Sequence, residues 1–239
     1  MTDPGKSSVV LVHGAFADAS GFTGVISELL ASGHSVVAPP NPLRGLGDDA
    51  AAIQAVVAAI DGPVVLVGHS YGGAVITQAS ASLDNVTALV YLAAFSLNEG
   101  ESCSTVQEPF PPSMLADTVR PTLYDAPGAG GGPDLYIDPA GFRETFCADV
   151  AVNLAQAMCA AQRPLAAAAF TENATAAGWK RLPTWYQVAR HDHAIPPDAQ
   201  RYMAGRMGST VEEIDGSHSA FIAQPAAAAD IIRRALAKS

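Results

Sequence analysis

A chain of 239 residues, 49% hydrophobic and 15% charged, holds material for one large core, or for a core domain carrying an insertion, and lacks the composition of a disordered segment. Its formal net charge of −10, with 13 Lys and Arg in all, excludes a nucleic-acid partner, because phosphate neutralisation takes a clustered basic face. Met1 to Ser8 has no apolar signal-peptide stretch and no run reaches bilayer-crossing length, so no membrane partner and a cytoplasmic location are expected.

Along the chain, short apolar runs first alternate with helical patterns, which predicts a parallel sheet wrapped by helices. Val9 to Val12 reads as a buried strand, and Phe22 to Ser32 as a helix that stops at Gly33. Ser35 to Ala38 is a second strand, followed by a Pro- and Gly-rich loop from Pro39 to Gly47. The next helix, Asp48 to Ile60, has acidic residues in its first turn, where the helix dipole favours them, and ends before Asp61-Gly62-Pro63. Val64 to Val67 is a third strand, Tyr71 to Ser82 a helix and Val86 to Leu92 a fourth strand.

The alternation breaks after Ala94. From Ser96 to Arg181 the chain is punctuated by Pro and Gly and offers helices such as Phe142 to Gln162 without alternating strands. It reads as an inserted cap over residues 96–181, with residues 1–95 and 182–239 forming the core domain. The βα pattern resumes with a strand from Thr184 to Ala189, a helix from Pro197, a strand from Thr210 to Ile214 and a final helix opened by Pro225. About six parallel strands are expected.

Gly128 to Gly132 follows no strand and precedes no Gly-Lys-Ser/Thr, so it reads as a cap loop and not a nucleotide cradle. Cys103, Cys147 and Cys159 are odd in number and form no CxxC, so buried free thiols are expected, without a disulfide framework or a zinc knuckle.

Gly68-His69-Ser70-Tyr71-Gly72 fits G-x-S-x-G and falls between a strand and a helix. A turn that sharp projects Ser70 above the sheet, and side chains two positions before and after it would collide with backbone. The helix from Tyr71 aims its free N–H groups where negative charge develops on a substrate oxygen. His13-Gly14-Ala15-Phe16 ends the first strand at the same carboxyl edge, so the N–H groups of Ala15 and Tyr71 are the candidate oxyanion donors. His13 is expected to brace this loop, and Phe16 to border the substrate pocket.

A serine hydroxyl needs a base, and the base an orienting group. Of six histidines, His218 in Gly216-Ser217-His218-Ser219 stands just beyond the last strand, and Asp192 follows the penultimate one. Asp215 competes with Asp192 as the orienter, and His191-Asp192-His193 competes as a metal site, but no further ligand motif supports a metal.

These segments resemble the α/β-hydrolase superfamily, and closely its bacterial esterase-like group related to plant methyl esterases and hydroxynitrile lyases. Val9-Val10-Leu11-Val12 into His13-Gly14-Ala15, then Gly68 to Gly73, Asp192 with Ile195-Pro196-Pro197-Asp198, and Gly216-Ser217-His218 with Phe221 and Pro225 carry the likeness across the chain. It implies the α/β-hydrolase fold with a cap over the nucleophile, two-step acyl transfer and no cofactor, and the order Ser, Asp, His fits that fold. Plant cyanohydrin lyases have a threonine where this chain has Gly14 and a lysine where it has Ser219. An aspartate replaces the elbow serine in dehalogenases. The resemblance is therefore to the esterase branch.

The reaction expected is hydrolysis of a carboxylic ester of a small or medium-sized, largely apolar molecule by Ser70, His218 and Asp192. The same triad on a lactone, amide, thioester or carbon–carbon bond is the alternative, and a non-catalytic ligand-binding protein on this scaffold is a third reading. Trp179 and Met158 are further pocket candidates, and a homodimer is left open.

Overall fold

The computed structural model describes residues 7–123 and 132–238, so most of the glycine run, 128–131, lies outside the described residues. Strand β1 (Ser8–Val12) is followed by α1 (Thr23–Ala31), β2 (Ser35–Val37), α2 (Leu46–Ala58), β3 (Val64–His69), α3 (Tyr71–Ala79) and β4 (Val86–Leu92). After residues 96–181 come β8 (Thr184–Ala189), α8 (Pro197–Arg206), β9 (Thr210–Ile214), α9 (Ala220–Ala223) and α10 (Pro225–Leu236). These strands form one six-stranded sheet in the order β2-β1-β3-β4-β8-β9. Every pairing in it is parallel.

The alternation of side chains along buried strands feeds two cores. Val10, Val12 and Leu66 pack with Ile53, Val57 and Val75 of α2 and α3 on one face. Val9, Leu11, Val65 and Val67 pack with Val25 and Leu29 of α1 and Ile231 and Ile232 of α10 on the other. Because all six strands run the same way, the segments leaving β1, β3, β8 and β9 emerge at a single edge, and the candidate residues emerge with them.

The segment between β4 and β8 adds strands to the helices expected there. It contains a second, antiparallel sheet of β5 (Val119–Leu123), β6 (Pro133–Ile137) and β7 (Leu165–Ala166), together with α4 (Met114–Thr118) and α7 (Ala167–Thr171). Pro121 sits in β5, an edge strand, where the missing N–H is tolerated but the local pattern is masked. The single helix expected over Phe142 to Gln162 is two, α5 (Pro139–Phe146) and α6 (Val152–Ala160). The break is held by the Arg143 guanidinium, which donates to the carbonyls of Ala148 and Val150, and by Asp149, which turns away to Ser217.

Side-chain contacts on several sides tie this segment to the rest of the chain. Arg44 pairs with Asp134 at 2.8 Å. Glu172 accepts from the N–H groups of Leu46 and Gly47, so α2 starts two residues before the expected Asp48 under a cap supplied by the 96–181 segment. Asp149 accepts from the N–H and the hydroxyl of Ser217.

Candidate active site

Ser70 holds φ 54° and ψ −125°, a left-handed backbone that costs a non-glycine residue about 1–3 kcal/mol and survives only where the surroundings enforce it. Here its carbonyl accepts from the N–H groups of Gly73 and Phe95, and its N–H donates to Leu92. The flanking glycines are required by close approach. A Cβ on Gly68 would lie 2.6 Å from the Gly72 oxygen, and one on Gly72 would lie 2.3 Å from the Val12 oxygen. Gly14 is fitted against the serine itself, since a Cβ there would meet Ser70 Cβ at 2.6 Å.

His13 braces the loop as expected. Its Nδ1 donates to the Gly14 carbonyl at 2.9 Å, while Nε2 accepts from the N–H of Asn41, whose amide returns a bond to the His13 carbonyl. Burial lowers its pKa, which keeps the ring neutral and this pattern intact. Tyr71, the first residue of α3, buries its ring and donates its hydroxyl to Asp49 Oδ2 at 2.7 Å. Burial raises both the Tyr71 phenol and the Asp49 carboxyl.

His218 Nδ1 lies 2.7 Å from Asp192 Oδ2, and both side chains are buried. The other Asp192 oxygen accepts from the N–H groups of Ala194 and Ile195. Asp215, the competing acid, is at the surface, 2.6 Å from His191 Nε2. His193 turns to the Glu144 carbonyl, so the two histidines flanking Asp192 diverge and do not converge on a metal. His69 Nε2 donates to the His218 carbonyl at 2.9 Å. Burial, reinforced by the neighbouring His218, holds the His69 imidazole well below its ordinary value.

Ser70, His218, Ala15, Tyr71 and Phe16 all line one cavity of about 550 Å³ with mostly apolar walls. A strained serine and a carboxylate-bound imidazole at the wall of one apolar cleft is an arrangement able to carry out acyl transfer. A family model described as the alpha/beta hydrolase family matches residues 9–231.

The chain belongs to the alpha/beta hydrolase family.

Among its relatives, an alpha/beta hydrolase of Aspergillus novofumigatus, nvfD, is 26% identical over 96% of each chain. Among solved structures, polyneuridine aldehyde esterase superimposes with a TM-score of 0.82 at 21% identity, covering 96% of this chain and 99% of that one. A methylesterase protein, MES16, from Arabidopsis gives 0.80 at 19% identity, over 97% and 99%.

In this alpha/beta hydrolase two expected pocket residues lie elsewhere. Trp179 donates its indole N–H to the Leu97 carbonyl and packs against the core, and Met158 lines a second cavity. Cys103 and Cys147 are buried free thiols, the latter pushed up to about 12 by burial, whereas Cys159 is only partly covered. Gln200 was not singled out from sequence. Wholly buried, it donates to Asp192 Oδ2 and to the Ile195 carbonyl and accepts from the N–H of Ala189. Its signal was a glutamine on the core-facing side of α8. Among the described residues, no helix is long and apolar enough to cross a membrane.

Proposed function

We propose that this alpha/beta hydrolase cleaves a carboxylic ester of a small or medium-sized, largely apolar molecule through an acyl-enzyme on Ser70. The observation that carries the reading is the 2.7 Å bond between His218 and Asp192, beside a serine held in a left-handed turn at the wall of an apolar cavity. Ser70 Oγ attacks the ester carbonyl and passes its proton to His218 Nε2, while the N–H groups of Ala15 and Tyr71 receive the charge that builds on the carbonyl oxygen. His218 returns the proton to the leaving alcohol. Water then attacks the acyl-Ser70 with the same base, and the acid departs.

Asp192 accepts from His218 Nδ1, fixing the tautomer that leaves Nε2 free to take the serine proton. The named activities of the two solved structures, an esterase and a methylesterase, support the same bond type. Residues 96–181 act as a cap in this reading, supported by Leu115, Leu135 and Phe170 of that segment, which line the same cavity as Ser70. No step of this reading calls for a metal or cofactor.

A panel of p-nitrophenyl esters of increasing acyl length tests the proposal. Hydrolysis that favours short to medium acyl chains is expected from a cavity of this size. Absence of turnover across the panel would contradict it.

A further inference from the structure

The 96–181 segment brings two residues to the loop that carries His218. Phe146, the last residue of α5, is buried and sets its ring 5.1 Å from the His218 imidazole, centroid to centroid. Asp149, in the turn that follows, accepts from the Ser217 N–H at 3.0 Å through Oδ2 and from the Ser217 hydroxyl through Oδ1. The Arg143 guanidinium donates to the carbonyls of Ala148 and Val150, on either side of Asp149, and so fixes the turn that aims the carboxylate.

Ser217 is the chain neighbour of His218 and is itself buried. The carbonyls of its loop are met from the core: Gly216 accepts from the N–H of His191, Ser217 from that of Ala220, and His218 from His69 Nε2. The two donors of Ser217 are met by the one carboxylate of Asp149. A partner matched to both donors of a buried residue holds that residue in one orientation, because turning it away leaves both unmet.

We infer that Asp149 is a positioning residue for the reaction: acting through Ser217, it sets the place of His218, so that the base is held from the core by Asp192 and from the 96–181 segment by Asp149. This rests on the ester-hydrolase reading. The bond from Nδ1 to Asp192 fixes one corner of the imidazole and leaves the ring a hinge about that corner. Anchoring the backbone beside it through Ser217, with Phe146 against the ring, removes the hinge and keeps Nε2 where it can take the serine proton. The base is then fully aligned only while the 96–181 segment is seated.

Steady-state hydrolysis of a p-nitrophenyl ester is the readout. Asp149→Ala should lower kcat about tenfold or more and change KM less than about twofold, since the residue acts on the base and not on the substrate. Ser217→Ala, which keeps the N–H bond, should lose less, and the double variant should match Asp149→Ala because both residues act through one contact. Asp149→Asn, whose amide can accept from the N–H and donate to the hydroxyl oxygen, should return kcat to within about twofold of wild type. Asp134→Ala breaks another tether of the same segment, the pair with Arg44, and should leave kcat unchanged. Asp149 is exposed, so its truncation opens no hole in the core, and Ser217→Ala carries the test should that variant fail to fold. Wild-type kcat in Asp149→Ala overturns the inference, as do a loss confined to KM, additive losses in the double variant, an Asn variant as impaired as the Ala one, or an equal loss in Asp134→Ala. Absence of turnover by the wild type undoes the ester-hydrolase reading and this inference with it, while wild-type turnover that survives Asp149→Ala removes the inference alone.

Discussion

Gln200 Nε2 donates to Asp192 Oδ2 at 2.7 Å, the same oxygen and the same distance at which Asp192 meets His218. One buried carboxylate oxygen therefore aligns the imidazole while being held in place itself by an amide anchored to two backbone groups.

The acid is expected to be Asp192. Asp192→Asn preserves the shape but removes the charge that stabilises the imidazolium, so kcat for an aryl ester should fall by about 10⁴-fold. Asp215→Asn, at a surface pair with His191, should change it less than about twofold. Steady-state kinetics of the two variants check the assignment, and reversed outcomes would exchange the two roles.

Gln200→Leu should cost both stability and rate. It leaves the Ala189 N–H and the Ile195 carbonyl without their side-chain partner, at about 1–3 kcal/mol, and frees Asp192 to shift. Thermal unfolding should show the lowered midpoint, and kcat should drop by about tenfold while KM changes little, since the residue touches no substrate. Wild-type kcat in this variant would mean that Asp192 needs no support.

Stability should fall as the medium is acidified from pH 7.5 to 5.5. His13 and His69 have folded pKa values depressed below the unfolded one, chiefly by burial. Their contribution is therefore complete above the unfolded value of about 6.5 and is lost as the pH falls, because the unfolded chain takes up protons that the native rings refuse. The limiting slope is about 1.4 kcal/mol per pH unit for each buried imidazole. Asp49, raised by burial, acts in the opposite sense, so the difference between wild type and His69→Gln isolates one histidine. Urea unfolding at several pH values should give a shallower slope for the variant, and equal slopes would count against a neutral His69.

Gly14 and Ser219 separate ester hydrolysis from cyanohydrin cleavage. No Lys or Arg is among the described residues lining the Ser70 cavity, and Ser219 lines the cavity behind it. Departing cyanide would thus meet no cation, and the wild type should release none from mandelonitrile above the buffer rate while hydrolysing aryl esters. Gly14→Thr places a branched side chain whose Cβ would sit 2.6 Å from Ser70 Cβ, and the ester rate should fall at least about a hundredfold. Cyanide release without ester hydrolysis would move the chain to the lyase branch.

The parts of the site legible in sequence are those that local geometry dictates. The elbow shows because so sharp a turn admits only glycine at Gly68 and Gly72, and Asp192 and His218 show because each follows a strand in a parallel sheet. Asp149, Glu172 and Gln200 did not show. Asp149 and Glu172 meet partners 68 and 126 residues away, and no local pattern marks such a pair. The small antiparallel sheet was hidden for a related reason: its strands are short, one is interrupted by Pro121, and they pair across a long connection.

The most direct test of the nucleophile combines turnover with covalent capture. Wild-type protein quenched during p-nitrophenyl acetate turnover should carry a single acetyl group on the peptide containing Ser70, and Ser70→Ala should lose the adduct and about 10⁴-fold or more in rate. An acetyl group on another residue, or a Ser70→Ala variant that keeps about a tenth of the wild-type rate, would contradict the assignment.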